Sequence, residues 1–364
     1  MKPLGTGALK LLRKLAIDPS LSQAELAKEL DVTRSAVNQI WQRLRKECNL
    51  SVRGSFDYGQ LGLRLVFGWA SDREGSDILP KFSRWLTSSP LTVVVMRSVM
   101  SSMMDTRVYF EALLPQGQRG VWFLDQLERF KKNPYNLSLV YGFASHIANH
   151  LNLGLFDGRG WDMIDGFRFG ATIDSAKGYA DVLPDVRTSR QSDPVNVSLD
   201  DFIVASIIEQ DFHATSRQLE TNLSELGEPK MSERTLRRRL SAVRKKRIVP
   251  YLRIENIGLS QRIAISLEEA RELDDSSLSR LLRVQATTLP KARVVHNDNL
   301  TSMILDLPES VSWFAISQVL SESAGATSTI CTFIADDSQI WNGLDSLLEV
   351  LVEHTGKDSR SHHL

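Results

Sequence analysis

Apolar and basic positions follow a helical spacing between Ser232 and Arg247, and this is the most informative pattern in the chain. Leu236, Leu240 and Val243 recur at i, i+4 and i+7, which predicts a helix with one apolar side. Arginine and lysine occupy most other positions, so the opposite side is strongly basic. The Ser232 hydroxyl can accept a free backbone N–H of the first turn. The basic side of such a helix either faces only solvent or contacts a polyanion.

An earlier stretch, LSQAELAKELDVTRSAVNQIWQRLRKE, also has apolar residues at a helical spacing. It predicts one helix, a tight turn at Asp31 and a second helix capped by Thr33, which is the order of a helix-turn-helix. Alternating apolar positions from Val52 onward predict a two-stranded wing after it, with Arg53 near the tip.

Both helix-turn-helix patterns are followed by the predicted order β-α-β-β-α-β, which is that of a ferredoxin-like domain. Two copies of one order, with apolar positions at a constant offset, indicate a tandem repeat. The predicted fold is therefore α+β. Its units are winged helix-turn-helix domains at 1–62 and 198–258, ferredoxin-like domains at 63–144 and 259–337, a partly structured linker at 145–197, and a C-terminal helix and tail at 338–364.

Charge and composition narrow the candidate functions. Lys+Arg and Asp+Glu each number 44, so a polyanion site has to arise from local segregation of charge. Cys48 and Cys331 fit no metal spacing and favour a reducing compartment. The N-terminal apolar stretch is too short and too charged for a membrane span, so we expect a cytoplasmic protein.

Enzymatic motifs are weak in this sequence. His146 and His150 are four residues apart, which would suit a metal on a helix, yet no third ligand has a telling spacing. No nucleophilic triad, glycine-rich phosphate loop or paired catalytic carboxylate stands out. We therefore expect no cofactor, no metal and no enzymatic activity.

The outward faces of the two second helices suit double-stranded DNA. Asparagine and glutamine pair with adenine edges, whereas arginine and lysine bind guanine or phosphate. The predicted DNA contacts are Thr33, Arg34, Ser35, Asn38, Gln39, Gln42, Lys46 and Arg53 in the first copy, and Arg234, Arg237, Arg238, Ser241 and Lys245 in the second. The first helix is expected to read bases, and the second to grip phosphates.

The motifs LSQAELAKELDVTRSAVNQIWQRL and QLGL, with SLDDFIVASIIEQ, TLRRRLSAVRKKRIVPY and IGL in the second copy, resemble the Lrp/AsnC family of prokaryotic transcription regulators. The resemblance implies a sequence-specific DNA-binding regulator that looks like a covalently joined dimer. It also implies self-association through the ferredoxin-like domains and possible sensing of a small-molecule effector. The family's Gly-x-x-Asp stretch has no full counterpart, because Ser101 to Asp105 retains only the acid, so no effector residues follow.

Two alternatives remain open. Siroheme decarboxylases resemble the same family and also use two such units, and GLRLVFGW is loosely similar to one of their strands. However, SVRGSFDYGQ and PYLRIENIG lack the histidine expected near the haem. The other alternative is a chromatin-architectural or protein-interaction module, which the zero net charge permits.

Overall fold

The computed structural model describes residues 3–72, 77–99, 106–163, 189–225, 231–245, 248–269, 277–309, 311, 328–336 and 339–348. The first half begins with three helices, α1 (Thr6–Ile17), α2 (Gln23–Glu29) and α3 (Arg34–Cys48). The Ser22 hydroxyl accepts the Glu25 N–H, and the Glu25 carboxylate accepts the Ser22 N–H, which caps α2 at its start. Thr33 caps α3 in the predicted way.

The second half begins with the matching helices α6 (Leu199–Gln210), α7 (Ser216–Glu225) and α8 (Glu233–Arg244). Ser232 caps α8, and Leu236, Leu240 and Val243 are its buried residues. The helix predicted from the basic amphipathic pattern is therefore confirmed, with its apolar stripe in the core.

The strand that follows each helix-turn-helix pairs with the other half. β1 (Ser51–Ser55) and β8 (Val249–Arg253) form one antiparallel ribbon, in which Arg53 lies opposite Tyr251. The prediction of a separate two-stranded wing in each copy is therefore wrong. Alternation of apolar positions identifies a half-buried strand but carries no information about its partner.

Each half continues with a ferredoxin-like sheet covered by helices. The first contains β2 (Leu63–Asp72), α4 (Ile78–Ser88), β3 (Thr92–Arg97), β4 (Thr106–Pro115), α5 (Gln118–Lys131) and β5 (Ser138–Phe143), with strand order β3-β4-β2-β5. The second contains β9 (Gln261–Glu269), α9 (Ser277–Ala286), β10 (Lys291–His296), β11 (Leu300–Leu307) and β12 (Ser328–Ile334), with order β12-β9-β11-β10. The α+β fold class is confirmed. The helix predicted between β11 and β12 lies almost entirely outside the described residues.

Each sheet also gains a strand from the other half. β6 (His146–Leu151) comes from the predicted linker and pairs with β10, and β7 (Ser189–Arg190) continues this sheet. β13 (Ile340–Trp341) pairs with β3 of the first sheet, although it lies in the segment 338–364 for which the sequence predicts a C-terminal helix and tail. A helical turn begins only at Asp345. Whether these two segments form strands depends on their cross-strand partners, which the local sequence does not specify.

The described end of the linker is fixed against the first half. Gln191 accepts the Tyr58 N–H at 2.8 Å, and Asp57 accepts the Ser192 N–H at 2.8 Å. A Cβ on Gly59 would lie 2.0 Å from the Ser192 carbonyl oxygen, so only glycine permits this approach. The described end of the predicted linker therefore packs against the first half. No described helix is both long and apolar enough to cross a bilayer.

Candidate functional site

A cavity of about 1040 Å³ lies between the two halves of the chain. Its walls come from both ferredoxin-like sheets, the β1–β8 ribbon, β6, the loop after α1 and the C-terminal segment 339–343. This volume is at the upper end of the range for small-molecule sites, which runs from about 300 to 1,000 Å³. The strands exchanged between the halves therefore build the walls of one shared site.

Five cationic and five acidic side chains line this cavity. Asp306 on β11 accepts both Arg262 on β9, at 2.5 Å, and Lys291 on β10, at 2.6 Å. Burial opposes ionisation of Asp306, but the two cations outweigh burial and lower its pKa. Arg253 and Glu255 form a further pair at 2.6 Å.

One buried ion pair joins the two sheets across the cavity. Arg293 on β10 donates to both carboxylate oxygens of Glu111 on β4, at 2.9 and 2.6 Å. The Tyr109 hydroxyl donates to Glu111 at 2.9 Å, and Asn149 on β6 accepts from Arg293 at 3.3 Å. Burial lowers the pKa of Arg293, but the Glu111 carboxylate raises it by more, so the guanidinium stays charged.

Two cavity side chains have buried nitrogen atoms with no hydrogen-bond partner among the residues that the structure describes. They are Nε of Arg53 on β1 and Nε2 of His150 on β6. Burial lowers the pKa of His150, so its imidazole is neutral at pH 7. A neutral imidazole can bind a metal or accept a proton, and a buried polar atom without a partner is a candidate for ligand contact.

A second titratable group in the cavity wall is Glu209, the buried carboxyl near the end of α6. Its Oε2 accepts the Leu344 N–H at 2.5 Å, and its Oε1 lies 3.5 Å from the Tyr58 hydroxyl. Burial raises the pKa of Glu209 to about 7. Burial also raises the pKa of Tyr58, which therefore keeps its proton. Glu209 can thus hold or release a proton near neutral pH.

The rim of the cavity is apolar. Ile17, Val249 and Trp341 are 81%, 50% and 37% exposed and all three line it. The Arg262 guanidinium lies 5.0 Å from the centre of the Trp341 ring. Large apolar side chains exposed around a charged cavity suit a ligand that has both apolar surface and charged substituents.

The two histidines of β6 do not form a joint metal site. His146 stacks on His296 with ring centres 4.7 Å apart, whereas His150 lines the cavity. Residues i and i+4 of a strand are about 13 Å apart, so a spacing that suits a helix fails here. Within the described ranges, no group of three or more His, Cys, Asp or Glu is placed to hold a metal ion.

The predicted DNA contacts lie in two kinds of place: most are around the exposed helices α3 and α8, and one is in the cavity. Arg53 lies in the middle of β1 and lines the cavity, not a wing tip. The other predicted residues are exposed around α3 and α8: Thr33, Arg34, Ser35, Asn38, Gln39, Gln42, Lys46, Arg234, Arg237, Arg238, Ser241 and Lys245. Arg237 is paired with Glu233 at 2.5 Å.

The fold resembles that of solved structures. The crystal structure of the siroheme decarboxylase NirDL matches 97% of this chain and 99% of its own, with a TM-score of 0.51 and 13% identity. The fold of the whole chain is similar to that of a siroheme decarboxylase. NirDL in co-complex with an iron-uroporphyrin III analogue matches 96% of this chain and 98% of its own, with a TM-score of 0.50 and 14% identity.

Shorter matches are also found. The transcriptional regulatory protein PF0864 from Pyrococcus furiosus, of the AsnC family, matches 38% of this chain and 88% of its own, with a TM-score of 0.24 and 16% identity. No protein-family model and no curated protein matches the sequence.

The NirDL match corrects one prediction. The chain was expected not to be an enzyme. This expectation is contradicted, because a fold similar over nearly the full length of both chains is that of an enzyme, NirDL.

Sequence reasoning missed the main cavity residues. His150 was noted only as half of a possible metal pair, although it lies on a strand that enters the opposite sheet. Glu209 carried a usable signal, since it is a carboxylate at the end of the almost wholly apolar run FIVASII. A buried carboxyl in such a run is a candidate for a perturbed pKa and a functional role.

Proposed function

We propose that this protein is a decarboxylase of an iron-containing, carboxylate-rich tetrapyrrole of the siroheme type, and that the central cavity is its active site. The observation that carries this proposal is the cavity of about 1040 Å³ with charged walls and an apolar rim, placed between the halves of a fold like that of NirDL. Neither the fold nor the cavity alone supports a substrate class.

Binding of such a substrate uses two features of the cavity. The apolar rim at Ile17, Val249 and Trp341 packs against the faces of the macrocycle. Arginine and lysine side chains in the walls receive its carboxylates. Arg53 is the most available of them, because among the described residues it is the cavity cation that is in no ion pair. A hydrogen bond between charged groups contributes about 1.5–3 kcal/mol, so a few of them fix the orientation of the ring.

His150 is the side chain we assign to the iron or to the reacting carboxylate. Its imidazole is neutral because burial lowers its pKa, and Nε2 has no other hydrogen-bond partner. A neutral imidazole supplies the lone pair that a haem-type iron accepts. The histidine that the sequence around the two ribbon strands lacks is therefore provided by β6.

The reaction needs no oxidant or reductant. The C–C bond of an acetate side chain breaks, carbon dioxide leaves, and the electron pair left on the CH₂ carbon takes up a proton to give a methyl group. The protein therefore has to bind the carboxylate, exclude water and supply one proton at that carbon.

Titration with iron uroporphyrin III, followed by visible absorption, tests binding. Incubation with siroheme, followed by mass spectrometry, tests for loss of carbon dioxide. We expect binding in the micromolar range and a weakening of at least about tenfold in His150→Ala, equivalent to about 1.4 kcal/mol. His362→Ala in the C-terminal tail is the matched control. An unchanged porphyrin spectrum together with intact carboxyl groups would refute the proposal.

A second candidate function is DNA binding through α3 and α8. It is favoured by the exposure of Arg234, Arg237, Arg238 and Lys245 on α8. In this proposal, α3 reads base edges, α8 grips phosphates, and copies associate through their ferredoxin-like domains. Selection from a random DNA pool tests it: two unlike half-sites about one helical turn apart are the expected result, and the absence of enrichment counts against it.

A further inference from the structure

We infer that Glu209 is the proton donor of the decarboxylation and that Arg53 holds the carboxylate that is removed. This inference rests on the proposed function, since it names the groups that act on the substrate in the same cavity. It assigns the acid to α6 of the second half and the anion-binding group to β1 of the first half.

Among the cavity carboxylates, Glu209 differs in its surroundings. Glu111, Glu255 and Asp306 are each held by an arginine or lysine at 2.6 Å or less. The remaining cavity carboxylate, Asp18, is exposed to solvent. Despite burial, cationic partners lower the pKa of Glu255 and of Asp306, so these two carboxyls stay ionised and are unable to donate a proton. Within the described part of the chain, Glu209 has no ion pair, and it is buried.

Hydrogen bonds hold the Glu209 carboxyl in place against the cavity wall. Its Oε2 accepts the Leu344 N–H, and its Oε1 lies 3.5 Å from the Tyr58 hydroxyl. A Cβ on Gly343 would lie 2.5 Å from Oε2, so a larger residue there would move the Glu209 carboxyl from this position. The acid is therefore fixed at a defined point of the wall.

Charged and titratable groups face Glu209 from every side. They are Arg53 on β1, Tyr58, Tyr251 on β8, Arg293 on β10 and Asp345 in the C-terminal turn. Burial and Asp345 favour the neutral acid, whereas Arg53, Arg293 and the Leu344 N–H favour the carboxylate. Their balance gives a pKa of about 7, which suits an acid that works at neutral pH.

The step balances without a further reagent. Arg53 binds the substrate carboxylate, the C–C bond breaks, and carbon dioxide leaves. The electron pair on the carbon forms a C–H bond with the proton of Glu209. The resulting Glu209 carboxylate is stabilised by Arg53 and the Leu344 N–H, and it regains a proton from water once the product has left.

The test compares Glu209→Gln with Glu309→Gln, an exposed glutamate outside the cavity. Glutamine keeps an acceptor for the Leu344 N–H but has no carboxyl proton. We expect iron uroporphyrin III to bind Glu209→Gln within about threefold of wild type. Siroheme decarboxylation should fall by about 10²- to 10⁴-fold. Wild-type activity should fall as pH rises through about 7, because the acid ionises, and this fall should be absent in the variant.

The outcomes separate the two claims. An active wild type whose Glu209→Gln variant keeps its rate and pH profile overturns the assignment of Glu209 alone. Loss of porphyrin binding in the variant, with an unchanged pH profile of the remaining activity, indicates a merely structural residue and also overturns it. A wild type that neither binds the porphyrin nor releases carbon dioxide overturns the proposed function and this inference with it. Arg53→Lys, which lacks Nε, should raise KM more than it lowers kcat.

Discussion

Arg293 and Glu111 form a two-hydrogen-bond ion pair that joins the second ferredoxin-like sheet to the first. Removing one partner leaves a buried charge without compensation, which costs about 3–5 kcal/mol. We therefore expect Glu111→Gln to lower the free energy of unfolding by that amount, as measured by urea denaturation. The double variant Glu111→Leu/Arg293→Met should recover most of the loss, because no buried charge remains.

The exposed pair of Lys81 and Asp77, at 2.7 Å, provides the control for this prediction. Solvent-exposed pairs contribute about 0–1 kcal/mol, so Lys81→Ala should have little effect. Equal destabilisation by Glu111→Gln and Lys81→Ala would contradict the role of burial.

Glu209 should make the stability of the protein depend on pH. Its pKa rises from 4.5 to about 7 on folding, so the folded state binds more protons between these values. Stability is therefore highest below pH 4.5 with respect to this group and decreases as the pH rises through 7, by about 3 kcal/mol in total. Glu209→Gln should gain that much stability relative to wild type between pH 4.5 and pH 8 in chemical denaturation, whereas a parallel pH dependence of the two proteins would rule this out.

Strand exchange between the halves predicts that a cut chain stays together. A protease site inserted after residue 175 would leave β6 in the first fragment, paired with β10 in the second, and β13 in the second, paired with β3 in the first. We expect the fragments to co-elute in size-exclusion chromatography after cleavage and to unfold in one transition. Elution as two separate fragments under native conditions would contradict the exchange.

The arginines of α8 give a separate prediction for the DNA-binding alternative. Arg237→Ala and Arg238→Ala should each weaken binding and reduce the slope of log K against log salt by about 0.9. Arg84→Ala, an exposed arginine on α4, is the control. A salt slope that stays the same in all three variants would exclude contacts between these arginines and the DNA backbone.

Individual helices and strands were predictable because residues close together in the sequence determine them. The apolar stripe of α8 and the caps at Thr33 and Ser232 follow from residues a few positions apart. The ferredoxin-like order also followed, since each strand and helix has its own apolar period. Pairing between the halves was not predictable: the pattern in β1 is the same whether its partner is a neighbouring strand or β8, which is almost two hundred residues away.

The cavity followed from these unpredicted pairings. Arg53 was assigned to a wing tip, and it lies in the cavity because β1 pairs with β8. His150 entered the site because β6 extends the second sheet. Composition could not reveal the cavity either, because its five cations and five acids cancel, as they do across the whole chain.

The joining of two similar halves in one chain has a consequence for selectivity. In a dimer of identical subunits, each cavity group would occur twice, and a ligand turned by half a rotation would meet the same contacts. Here His150, Arg53 and Glu209 each line the cavity once. The tetrapyrrole substrate that we propose would therefore have one preferred orientation, with a single peripheral substituent at the proposed acid, Glu209. Under the proposed function, this asymmetry is a structural basis for regioselectivity among chemically similar carboxyl groups.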